Sequence, residues 1–118
     1  MVELVANLST GKDTWGHVNR LIESGKWDKV YLITNEFGKE NFNKKDNVEF
    51  LIIDSNQGLC ELRDFLYKEL KEKVKSSEIG LNLVSGSGKE HMALLSAVLK
   101  LGVGIQLVAM TKGGSTVL

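Results

Sequence analysis

Apolar residues fall into short unbroken runs separated by longer stretches of helical spacing, and this alternation predicts most of the fold. The runs Val2–Asn7, Lys29–Thr34, Val48–Ile53, Ile79–Val84 and Gly104–Met110 read as five strands. They are continuously apolar rather than alternating, the signature of strands buried on both faces. Between them, Trp15, Val18, Leu21 and Ile22 form one helical stripe, stopped by Ser24-Gly25, with Asp13 or Thr14 as its cap. Leu59, Leu62, Phe65, Leu66, Leu70 and Val74 form a second. Met92, Leu95, Ala97, Val98 and Leu101 form a third, ended by Gly102. The polar stretch 35–47 reads as a loop with one helical turn around Glu40. Gly113-Gly114 before Ser115–Leu118 predicts a closing hairpin with an antiparallel edge strand. The fold class expected is α/β, Rossmann-like and doubly wound, with a mainly parallel sheet of about six strands.

Composition narrows the picture. A chain of 118 residues, 42% hydrophobic, is sized for one compact domain over residues 1–118. Fifteen basic and fifteen acidic residues cancel, which removes the extended basic surface a duplex-DNA binder needs. Cys60 has no partner for an internal disulfide and falls within an apolar helical pattern, so it is expected to be a small core residue in a reducing compartment. The first residues lack a signal-peptide pattern and no apolar run approaches membrane-spanning length, so a cytoplasmic location is expected.

The chemistry concentrates in two loops. Strand four runs into Ser85-Gly86-Ser87-Gly88-Lys89, and a helix follows. Glycines allow close backbone approach, the helix start offers N–H groups and a positive dipole end, and Lys89 adds a cation. A phosphate or phosphodiester is the ligand such a turn suits. Leu83 and Glu90 stand where a P-loop needs glycine and Ser/Thr, which argues against ATP hydrolysis by that route. The plainer alternative is a strand-to-helix turn in which Ser87 merely caps the helix.

In a doubly wound sheet strand four returns beside strand one, so the loop holding Ser9, Thr10, Gly11 and Lys12 is expected to face the strand-four turn. Lys12 and Lys89 then become candidate phosphate partners, with Ser9, Thr10, Ser85 and Ser87 bonding phosphate or sugar oxygens. His17 and His91 each begin a helix beside these loops, and neither has a carboxylate at an orienting spacing, so exposed, inert histidines are expected. Trp15 is expected in the core. Glu36 follows strand two, but the first loop lacks Gly-x-Gly-x-x-Gly, so no nicotinamide cofactor is expected. No Cys/His spacing suits a metal.

The segment Asn82-Leu83-Val84-Ser85-Gly86-Ser87-Gly88-Lys89-Glu90-His91-Met92 resembles the strand-four motif of CARF domains, the CRISPR-associated Rossmann-like sensors, in which an Asn/Asp-containing strand leads to a Ser/Thr-Gly-Gly-Thr/Asn-Lys turn. The first loop and Lys29–Thr34 are similar to that family's first phosphate-facing loop and second strand. This chain departs in reading Ser-Gly-Ser-Gly-Lys. The resemblance implies an antiviral sensor: a homodimer binding a cyclic oligoadenylate across its two-fold axis, with Ser9, Thr10, Ser85, Gly86, Ser87, Gly88 and Lys89 matching the binding loops. Family members normally carry an effector domain, and a stand-alone member is expected to sense the ligand for a separate effector protein, to sequester it, or to cleave it.

A metal-independent ring nuclease is the enzymatic alternative: the 2′-hydroxyl attacks its own phosphate while Lys89 and backbone N–H groups stabilise charge and Ser9 or Thr10 positions it. An interaction domain with a decayed ligand site is the structural one. A dimer is expected through the helix over His91–Leu101, whose apolar residues Met92, Ala93, Leu94, Leu95, Ala97, Val98, Leu99 and Leu101 wrap most of its circumference.

Overall fold

The computed structural model describes residues 2–9 and 11–118. Six strands, β1 (Glu3–Asn7), β2 (Lys29–Thr34), β3 (Val48–Ile52), β4 (Glu78–Asn82), β5 (Gly104–Thr111) and β6 (Gly114–Val117), form one sheet of order β3-β2-β1-β4-β5-β6. Every pairing is parallel except the terminal β5–β6 hairpin. The helices are α1 (Trp15–Ser24), α2 (Glu36–Asn41), α3 (Leu59–Lys73) and α4 (Gly88–Leu101). The expected Rossmann-like, doubly wound α/β class is therefore what the chain adopts.

The continuous apolar character of the strands follows from cover on both faces. Val5, Tyr31, Ile33, Ile79 and Leu81 meet Leu62, Leu66 and Leu70 of α3 and Ala93, Leu94, Ala97 and Val98 of α4. Leu4, Ala6, Val30 and Leu32 meet Trp15, Val18, Leu21 and Ile22 of α1. Successive β1 residues thus enter opposite cores, as the two-residue strand period requires. Trp15 completes the second core by packing edge-on against Phe42, ring centroids 5.7 Å apart.

Four expectations change. Stretch 35–47 holds a six-residue helix, capped by Asn35, whose side chain accepts from the Gly38 N–H at 3.0 Å. Strand β4 stops at Asn82: Val84 is exposed because the chain has already turned, its N–H donating back to Asn82 Oδ1. Helix α4 begins at Gly88, three residues before the expected His91. Cys60 is exposed rather than in the core, since it sits in the first turn of α3, before that helix reaches the sheet. Among the described residues no helix is long and apolar enough to cross a membrane.

The amino end of β1 carries a buried carboxylate. Glu3 Oε1 accepts from the N–H groups of Lys75 and Ser76 and from the Ser76 hydroxyl at 2.7–2.8 Å, pinning the link from α3 to β4. Burial raises its proton affinity, yet the bonds from Ser76 and Lys75 outweigh that and hold its pKa below 4.5. Tyr31, whose hydroxyl donates to the Lys73 carbonyl at 2.9 Å, is pushed up to about 12 by burial and the Glu3 charge. A carboxylate with a lowered folded pKa stabilises the fold above its unfolded value and loses that contribution as pH falls through the folded one. Glu3→Gln should cost about 1.5–3 kcal/mol at pH 7 in urea unfolding, the scale of hydrogen bonds to a charged group. The gap to the wild type should narrow on acidification below the ordinary value of 4.5.

Candidate functional site at the topological switch point

Strand β1 pairs with β2 on one side and β4 on the other, so the loops leaving β1 and β4 diverge to opposite faces and leave a crevice at the carboxyl edge. One hydroxyl joins the two loops. Ser85, fully buried, accepts at Oγ from the Ser9 N–H at 2.7 Å and from Thr14 Oγ1 at 2.6 Å. Thr14 therefore spends its hydroxyl across the crevice and leaves α1 without a side-chain cap. The Ser85 carbonyl in turn accepts from His91 Nε2 at 2.9 Å, which fixes that nitrogen as the protonated one.

The β4 turn then bends sharply. Gly86 has φ +111°, a backbone region that residues with a Cβ rarely adopt. A Cβ there would stand 3.2 Å from Asn7 Cβ, Glu90 Oε1 and His91 Nε2. Ser87 caps α4 in a reciprocal box: its Oγ accepts from the Glu90 N–H at 3.2 Å, and Glu90 Oε1 accepts from the Ser87 N–H at 2.7 Å. The N–H groups of Gly88 and Lys89, in the first turn, have no acceptor within the helix. They and the helix dipole face an anion arriving from the crevice.

The two lysines flank this opening instead of filling it. Lys89 Nζ donates to the Ser55 carbonyl at 3.2 Å, leaning over the β3–α3 loop. Lys12 Nζ lies 5.7 Å from the Trp15 ring centre and 5.9 Å from that of Phe37. Between them an open cleft of about 450 Å³ is lined by Asn35, Glu36, Phe37, Ile52, Ile53, Asp54 and Ser55. Phe37 is exposed and offers a ring face there. A second cavity, about 380 Å³, lies at the amino edge around Trp27 and Gly80, the length of the strands away from both loops.

Of the residues singled out from sequence, Gly11, Lys12, Ser87, Gly88 and Lys89 are exposed at the crevice, Gly86 is half-buried there, and Ser85 is buried as its tie. Ser9 is half-buried and its hydroxyl donates to the Gly11 carbonyl at 2.7 Å. Thr10 lies outside the described residues. Three participants escaped the sequence reading: Asn7, Phe37 and Glu90. For Glu90 the signal was present, since Ser87-Gly88-Lys89-Glu90 is a capping-box pattern. Among the described residues no cluster of His, Cys, Asp or Glu could hold a metal ion.

His17 is half-buried, not exposed, and its role is structural. Its Nε2 faces Asn82 Nδ2 at 3.2 Å and the Met110 N–H at 3.4 Å, both donors, so the ring is neutral and protonated on Nδ1. Asn82 Nδ2 also donates to the Val108 carbonyl at 2.8 Å. The pair thus satisfies backbone groups where β5 parts from β4. Burial lowers the His17 pKa and Arg20 lowers it further.

A scan of the sequence against protein-family models and a search of curated proteins found no match. The site must be read from its own chemistry.

The depressed His17 pKa makes a prediction. Between the lowered folded value and the ordinary 6.5, the unfolded chain binds more protons than the folded one, so stability falls as pH drops below about 6.5. His17→Gln keeps an acceptor near the Nε2 position and removes the titration. Urea unfolding from pH 7.5 to 5 should show a smaller loss for the variant; equal losses would place the titration elsewhere.

Proposed function

We propose that this chain is a CARF-like nucleotide sensor, which binds a cyclic oligoadenylate or related phosphodiester at a homodimer interface. The observation that carries the reading is the Ser85 tie, which holds the β1 and β4 loops together with the first turn of α4 open between them. Phosphate oxygens accept from the Gly88 and Lys89 N–H groups, and Lys89 and Lys12 supply mobile charge from either flank. The Phe37 face suits base stacking. A cyclic ligand has rotational symmetry and fits a two-fold pair of such sites. Helix α4 offers the seam: α3 and the sheet cover its inner face, while Met92 and Leu99 are 62% and 63% exposed on the outer one.

One observation favours a second reading, an interaction domain whose ligand site has decayed. The Glu90 carboxylate already occupies the Ser87 N–H and brings negative charge to the anion seat.

Calorimetry with cyclic tetra- and hexa-adenylate separates the two. The sensor reading predicts saturable binding of one ligand per two chains, weakened about 10- to 150-fold in Lys89→Ala, the equivalent of about 1.5–3 kcal/mol for a charge-assisted bond. Absence of heat with either ligand supports the decayed site.

A further inference from the structure

Asn7 closes β1 on the face that meets α4, and its side chain is fully buried. Neither Nδ2 nor Oδ1 has a hydrogen-bond partner, the one buried side-chain amide among the described residues left with both its donor and its acceptor unpaired. Buried amide groups are ordinarily satisfied, and leaving them unpaired destabilises the chain. A strand end packed in this way would be served better by an apolar residue, unless the amide has a bonding partner outside the chain.

Its position says what that is. The Asn7 Cβ lies 3.2 Å from the place a Cβ on Gly86 would occupy, so the amide sits directly beneath the turn that opens α4. Gly86 has no side chain, and glycines stand on both sides of Ser87. The Asn7 donor and acceptor thus belong to a side chain packed against the same turn that presents the first N–H groups of α4. A bare anion would satisfy Nδ2 and leave Oδ1 orphaned. A ribonucleotide linkage satisfies both, since its phosphate oxygen accepts from Nδ2 and from the helix N–H groups while the adjacent 2′-hydroxyl donates to Oδ1.

We propose that Asn7 is a specificity-determining residue of this site, which selects ribonucleotide over deoxyribonucleotide phosphodiesters by pairing with the 2′-hydroxyl. The inference rests on the reading of the crevice as a phosphodiester site. A site that presents buried polar groups to a hydroxyl rejects the analogue lacking it, because those groups are then left unpaired.

The test measures affinities of the wild type, Asn7→Leu and Asn7→Ala for cyclic tetra- and hexa-adenylate and for their 2′-deoxy counterparts. The wild type should bind the ribose forms at least about tenfold more tightly than the deoxy forms. Both variants should lose that ratio, binding ribose and deoxy forms alike at about the wild-type affinity for the deoxy form. Either variant alone suffices should the other fail to fold. Equal wild-type affinity for the two sugars, or a ribose preference that survives in the variants, overturns the role of Asn7 and leaves the site reading standing. A wild type that binds none of the four ligands overturns both together.

Discussion

The Ser85 hydroxyl is the contact on which the arrangement of the crevice depends, because the sheet order brings the β1 and β4 loops near each other but does not fix their distance. Parallel pairing ends at Asn82, and beyond it the two segments have no shared ladder. Ser85 replaces the ladder with two short bonds from Ser9 and Thr14, accepted at a fully buried hydroxyl from donors on half-buried residues. Asn82 and His17 do the same on the neighbouring side, where β5 departs. The carboxyl edge is thus held by side chains where the backbone no longer can hold it.

That edge contains a conflict of charge. The first turn of α4 offers partial positive charge, Lys12 and Lys89 stand on its flanks, and yet the Glu90 carboxylate is bonded at the helix start. A capping box stabilises the helix by satisfying two orphan donors, and the same carboxylate repels a phosphate. Ligand binding at this seat must overcome that repulsion or move Glu90 aside. The unpaired amide of Asn7 works in the other direction, since a ligand that bonds it would relieve the cost of a buried, unpaired amide.

Sequence pattern carried the elements whose burial repeats over several turns or residues. The α1 stripe Trp15, Val18, Leu21 and Ile22 is the buried face of that helix, and β2 spans Lys29–Thr34 as the apolar run indicates. It was least complete where burial is too brief to leave a period: α2 buries only Gly38, so one turn around Glu40 was legible where the helix runs over Glu36–Asn41. Apolar character also misled at Leu83-Val84, which continue the composition of β4 after its pairing has ended, and at Cys60, which lies ahead of the buried part of α3. The crevice itself was legible, because strand, glycine turn and helix in the right order imply it. The directions of Lys12 and Lys89 were not, since a long flexible side chain is placed by whatever carbonyl or ring lies within reach. Nor was the isolation of Asn7, which is buried against the Gly86 turn from the far half of the sequence.

A phosphodiester seated between the β1 loop and the first turn of α4 is the binding mode that the donors and cations of this edge support. Titrating ¹⁵N-labelled protein with cyclic tetra-adenylate and following the glycine amides tests it directly, because glycines mark both ends of the sheet. Binding there should give large shifts for Gly11, Gly86 and Gly88 at the carboxyl edge while Gly25 and Gly80, which line the amino-edge cavity, stay still. Shifts confined to Gly25 and Gly80, or no shifts at saturating ligand, would contradict it.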